Sequence, residues 1–181
     1  MSSRHIRRAV NQSRSAVADL LQTVFVAELI SPGEQILLFS PWVSDFPLID
    51  NRAGRFSHID AQWPAAQIRL SAVLRTLLRR DVELLLAFRP EEREKEFLQR
   101  LGEMAADDGT ADKLVLRPGI PKDQTKNHEK ALVAETWALH GSMNFTYSGV
   151  EINGELVTFT TDPAEVAALS VEFRTEFEVR P

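Results

Sequence analysis

The sequence contains no cysteine. That excludes a disulfide framework, a thiolate metal site and a cysteine nucleophile together. Histidine is sparse: the four copies, His5, His58, His128 and His140, stand far apart and form no HExxH or His-x-His pair. A metal site would have to be assembled from scattered ligands, so no metal and no cofactor is expected. Basic charge is not in excess either. The formal net charge is −5, whereas a protein that coats nucleic acid is usually strongly basic; a local basic groove stays open. Long apolar runs are missing as well. The most apolar early stretch, LLQTVFVAELI, is broken by Gln22, Thr23 and Glu28 and is too short to span a bilayer. The basic start MSSRHIRRAV leads into no uninterrupted apolar segment, so the expectation is a cytoplasmic chain without membrane association.

What is present fits one domain over residues 1–181, long enough for a substantial core and short for two. From about Ile6 to Leu29, Val17, Leu20, Leu21, Val24 and Phe25 recur at helical spacing and predict an N-terminal helix, ended by Ser31-Pro32-Gly33. QILLFS (35–40) is a short apolar run that suits a strand buried on both faces. A long connection follows over residues 41–64, SPWVSDFPLIDNRAGRFSHIDAQWP read from Ser40, without sustained periodicity. A loop that long inside a compact domain is commonly functional. AAQIRLSAVLRTLLRR (65–80) reads as a helix with Leu70, Val73, Leu74 and Leu77 inward, and DVELLLAF as a second buried strand. Pro90-Glu91-Glu92 opens another helix, its acids at the positive end, and KLVLRPG is a third strand. HEKALVAE, WALHGSMNF and GELVTFTTD read as three further strands before a terminal helix that starts at Asp162-Pro163. The predicted fold is α/β: a mixed sheet sandwiched between helices.

Chemistry concentrates between residues 128 and 160. On a strand, residues two apart point to one side. His128 and Lys130 would face one way together, and so would Ser142 and Asn144 on the next strand. The four side chains can then converge on a patch with an imidazole, an ammonium, a hydroxyl and a carboxamide, suited to an anion. Glu155, at the start of the following strand, can reach back toward the imidazole, where a carboxylate fixes the tautomer and raises basicity. That is a recipe for histidine attacking phosphorus while lysine and asparagine hold the non-bridging oxygens. Each pair alone could equally be a solvated hairpin face; the ordered set is much harder to dismiss.

His-x-Lys, then Gly-Ser-x-Asn, then Asn-x-Glu (HEKALVAE followed by GSMNFTYSGVEINGE) resembles the signature of the phospholipase D superfamily. The signature covers His128 to Glu155, and the preceding order of strands and helices is compatible. The resemblance implies a phospholipase D-like α/β/α fold, with His128 as a nucleophile that forms a phosphohistidine. Lys130, Ser142 and Asn144 match phosphate-binding residues, Glu155 matches the acid that orients the histidine, and no metal is needed. One position departs: the family aspartate, seven residues after His128, is Glu135 here. It changes phase on an alternating strand and is expected to support the fold rather than face phosphate.

Family catalysis uses two His-Lys motifs about a two-fold axis, and this sequence carries one. The resemblance therefore implies a homodimer with both His128 side chains at one shared active site. The substrate reading is a phosphodiester in DNA. FSPWVSDFPLIDNR together with HEK and GSMNFTYSG is similar to the DpdK-type proteins of 7-deazapurine DNA-modification clusters, which implies partner proteins in a modification, restriction or defence system. Under that reading Trp42 stacks on a base, and Arg52, Arg55 and Lys126 contact phosphates. A plug between loop and sheet for Trp42, and ion pairs to Asp45 or Asp50 for the arginines, are the plainer alternatives. Two other functions stay open: a phospholipase or phosphatidyl-transferase, and a catalytically weak nucleic-acid-binding subunit.

Overall fold

The computed structural model describes residues 3–7, 16–118 and 130–178. Its centre is a seven-stranded sheet built from β1 (Ser3–Arg7), β2 (Gln35–Phe39), β5 (Glu83–Phe88), β6 (Leu114–Pro118), β7 (Lys130–Val133), β8 (Ala138–Gly141) and β9 (Leu156–Thr160), in the order β1-β9-β8-β7-β2-β5-β6. β2, β5 and β6 run parallel, as helical crossovers require, while β7 pairs antiparallel with β2, β8 with β7, β9 with β8 and β1 with β9. A separate two-stranded ribbon joins β3 (Pro47–Asp50) and β4 (Gln67–Arg69).

Strand alternation divides the central side chains between two cores. Ile36, Leu38, Leu84, Leu86, Leu132 and Leu139 face α1 (Ala16–Ile30), α2 (Leu70–Leu78) and α3 (Glu92–Asp107). Leu37, Phe39, Ala87, Ala131 and Val133 face α5 (Pro163–Glu178), the next helix along the chain after the short α4 (Tyr147–Glu151), and α5 buries Val166, Leu169 and Phe173 against them. Both faces being covered explains why these strands read as nearly continuous apolar runs. The predicted α/β/α sandwich is the fold observed.

Three expectations are corrected. Ser3–Arg7 is an edge strand, and the first helix begins at Ala16 among the described residues; Ile6 is buried from the strand, opposite Val157. The helix expected from Ala65 begins at Leu70, because Gln67–Arg69 pairs with the supposed loop at Pro47–Asp50. The long connection therefore holds a strand, anchored by the buried Leu48 and Ile49. Finally, β8 stops at Gly141, so Ser142 and Asn144 lie beyond the strand.

The sheet's lower end is tied by polar groups. Buried Glu28 accepts from Gly33 N–H at 2.7 Å and from the Trp137 indole N–H at 2.8 Å. Glu135, in the family's aspartate position, accepts from Glu34 N–H at 3.3 Å. Glu135 thus sits beyond the opposite end of β7 from Lys130. The arginines in and just after α2 are also structural: Arg75 pairs with Asp108, Arg79 with Asp60, and Arg80 donates to the Ile59 carbonyl.

Candidate active site

The carboxyl ends of parallel strands are where open α/β sheets place their ligands. Here β2 ends at Phe39 and β5 at Phe88, and antiparallel pairing brings the start of β7, the end of β8 and the start of β9 to the same edge. Lys130 stands opposite Gly141 in the ladder, and Gly141 opposite Val157. Lys130, Ser142 and Glu155, taken from three separate strands or their flanks, therefore meet at one rim.

Gly141 makes the rim turn. Its φ is +149°, and a Cβ there would lie 2.2 Å from the Leu156 carbonyl oxygen, so only glycine fits. Beyond it the two-residue alternation continues without a ladder: Met143 and Phe145 are buried in the core, while Ser142 and Asn144 point outward. The side-chain alternation expected from the sequence survives although the strand does not. Ser44 and Phe145 hold this segment down, with Ser44 N–H donating to the Phe145 carbonyl at 2.9 Å and Val43 bridging Phe145.

Ser142 Oγ donates to Glu155 Oε2 at 2.5 Å, and it accepts from Leu156 N–H at 3.1 Å. Asn153 Nδ2 lies 3.4 Å from the other Glu155 oxygen. Glu155 is thus fixed by the serine of the Gly-Ser-x-Asn run. Asn144 Oδ1 lies 3.5 Å from Ser40 Oγ, but that hydroxyl has a single proton and makes its shorter bond, 2.8 Å, to the Trp42 carbonyl. The same oxygen accepts from Phe145 N–H at 3.3 Å. Asn144 is placed by the end of β2, with its amide nitrogen left to other partners.

Lys130 is only 6% exposed. Burial lowers its pKa below the ordinary lysine value, the charge of Glu155 opposes that shift, and the nearby charge of Arg89 adds to it. Arg89 and Ser40 are site-edge residues that pattern reading passed over. Arg89 follows β5 directly, is 9% exposed, donates its peptide N–H to the Pro41 carbonyl and lays its guanidinium 5.4 Å from the Trp42 ring centre. The signal for both was a polar residue closing an apolar strand run, LLFS and LLLAFR.

The remaining predicted residues are placed as follows. His128 and Lys126 lie outside the described residues. Trp42 is half-buried against Arg89 at the rim. Arg52 folds back on Asp50 in a two-pronged pair at 2.6 and 2.9 Å, and Arg55 is exposed in the turn beyond. Both belong to the β3–β4 side, where a cavity of about 270 Å³ lies between Asp50, Gln22 and Tyr147. His140 stands on β8 with Nε2 3.9 Å from Glu165, toward the start of α5. Among the described residues no group of three or more His, Asp or Glu side chains is arranged to hold a metal ion, and no helix is long and apolar enough to cross a membrane.

With this geometry in hand, comparison with known proteins defines the class. Residues 63–178 match the family described as "Cardiolipin synthase, PLD-like domain", and the chain belongs to that phospholipase D-like family. No curated protein matches in sequence. Among solved structures it is similar to NucT from Helicobacter pylori, with a TM-score of 0.59 at 9% identity, covering 99% of this chain and 97% of NucT. It is similar to Nuc, a phospholipase D family member from Salmonella typhimurium, with a TM-score of 0.58 at 12% identity, covering 99% of this chain and 97% of Nuc. Polyphosphate kinase from Porphyromonas gingivalis shares the fold over 96% of this chain but only 26% of its own length, with a TM-score of 0.61 at 15% identity.

Proposed function

We propose that the chain is a metal-independent phosphodiesterase that cleaves DNA through a phosphohistidine on His128. The observation that carries this reading is the convergence of Lys130, Ser142, Asn144 and Glu155 on one rim of the sheet, although they arise from three different parts of the chain. A buried ammonium, an outward carboxamide and a serine clamped to a carboxylate form a preorganised anion site. In the first step an imidazole nitrogen of His128 attacks phosphorus, a P–N bond forms, and the P–O bond to the leaving group breaks. A second imidazolium supplies the proton to that oxygen. Water then attacks the phosphohistidine, breaks the P–N bond and releases a phosphomonoester end.

The single His-x-Lys run requires the second imidazole to come from a second copy, so the working unit is a homodimer with its two-fold axis through the phosphate site. The resemblance to proteins of DNA-modification clusters supports DNA as substrate and partner proteins in a modification or restriction system.

The test uses labelled single- and double-stranded DNA with EDTA present, comparing wild type with His128→Ala. Cleavage that survives EDTA and vanishes in the variant is expected, together with a dimer in sedimentation. Binding without cleavage, unchanged in the variant, would instead assign a docking subunit. The family description names cardiolipin synthase, so turnover of micellar phosphatidylglycerol with DNA left intact would move the substrate to lipid.

A further inference from the structure

We infer that the cavity lined by Ser44, Asp45, Arg69, Glu96, Phe97 and Arg100 receives an unstacked nucleobase of the strand being cut, with Glu96 and Arg100 reading its edge. The inference rests on the phosphodiesterase reading and deepens it by naming the part of the substrate held beside the scissile phosphate.

The cavity adjoins the rim through Ser44. In the loop after β2, Ser44 donates its peptide N–H to the Phe145 carbonyl at 2.9 Å, and its Oγ accepts from Tyr147 N–H at 3.2 Å. It is thereby fastened to the segment that carries Asn144, the residue just before Phe145. α3 begins at Glu92, soon after β5 ends at Phe88, so its first turns flank the same edge of the sheet. The cavity holds about 320 Å³, at the lower end of small-ligand sites and enough for a single base. Two arginines and two acids line it, so no excess of charge draws phosphate there. Asp45 and Arg69 form a fixed frame. Arg69 Nε donates to the Asp45 carboxylate at 3.0 Å and Nη2 to the Asp45 carbonyl, while Ser71 N–H and Oγ each donate to that carboxylate at 2.9 Å.

Glu96 and Arg100 keep their hydrogen-bonding capacity. They stand one turn apart on α3, a spacing at which such residues commonly pair. Arg100 instead approaches Asp45 at 4.0 Å, and neither side chain makes a hydrogen bond among the described residues. Both are exposed, whereas Phe97 between them in sequence is buried and gives the cavity an apolar wall. A carboxylate that accepts, a guanidinium fork that donates and an apolar wall match a flat group with donors and acceptors along one edge. A nucleobase has that edge. A phosphodiester has acceptors alone, and Glu96 would repel it. The base must be out of its stack to enter, so the strand it belongs to is single.

The test is an abasic scan. Short labelled single-stranded oligonucleotides carry one cleavable phosphodiester among phosphorothioate linkages, and each lacks the base at a single position flanking it. For the wild type, removing the base at one flanking position is expected to lower kcat/KM about tenfold, the worth of a good edge contact. Glu96→Gln and Arg100→Met should each shrink that difference at least about threefold by slowing the intact strand, with the abasic strand cleaved at the parent's rate. Loss on both strands together marks a structural or general electrostatic role and overturns the inference. So does the parental difference retained in both variants. Should one variant fail to fold, the other decides by the same ratio. A wild type that cuts every abasic strand as fast as the intact one overturns the inference and leaves the phosphodiesterase reading standing. A wild type that cuts no strand defeats that reading, and this inference with it.

Discussion

Lys130 carries its charge where water scarcely reaches. Because burial depresses its folded pKa, protonated Lys130 burdens the folded state at every pH below that depressed value. The burden is relieved as pH climbs toward the lysine's unfolded value, so stability contributed by this group rises with pH across that window. Lys130→Met should therefore gain about 1 kcal/mol of stability at neutral pH, in line with the stability that functional sites give up. The gain should shrink under alkaline conditions, as urea unfolding of both proteins from neutral to alkaline pH would measure. Inorganic phosphate is expected to raise the thermal midpoint of the wild type and to leave that of the variant unchanged. The common outward side of Ser142 and Asn144 was legible in the sequence because a two-residue alternation survives folding there. Arg89 and Ser40 were not. They join the rim only because β2 lies between β7 and β5, a neighbourhood that no local spacing records.

At the level of elements, glycines and caps decide how the rim is shaped. Gly141→Ala would push a methyl into the Leu156 carbonyl and force an L residue to φ +149°. A loss of at least about 2 kcal/mol is expected in chemical denaturation, with phosphate affinity falling as Ser142 is displaced. Trp137→Phe tests the other end of the sheet. Phenylalanine preserves the edge-on packing against Phe25 but removes the N–H that buried Glu28 accepts, and the orphaned oxygen should cost roughly 1–3 kcal/mol. A ΔΔG near zero would show that Gly33 alone satisfies the carboxylate. The long apolar strands and the helices α3 and α5 were readable from pattern. β1 and β4 were not, since each is only three to five residues long and takes its conformation from a partner rather than from its own composition. Ser142–Asn144 was read as strand because its side chains alternate as a strand's do, which is the part that matters for the site.

For the molecule as a whole, β1 forms one edge of the open sheet and is tied to α5. β1 lies outside β9 and contributes Ile6 to the main core, while Ser3 Oγ donates to Glu165 at the start of α5 at 2.8 Å. Removing residues 1–7 would uncover β9 as a new edge, and Leu156 on it is already exposed. The truncated chain should lose at least about 2 kcal/mol from the burial of Ile6 alone and aggregate more readily. Equilibrium unfolding and light scattering of the two chains would check both effects. Full stability retained after truncation would show that β1 is dispensable to the sheet.

The pairing of β1 with β9 also sets an order in time. Ser3 and Thr160 meet across 157 positions of sequence, and at ribosomal rates that separation is on the order of ten seconds of synthesis. Until β9 has been made, β1 lacks its sheet partner and the serine–carboxylate clamp at the rim cannot exist. β9 therefore completes the β1 edge and the rim together.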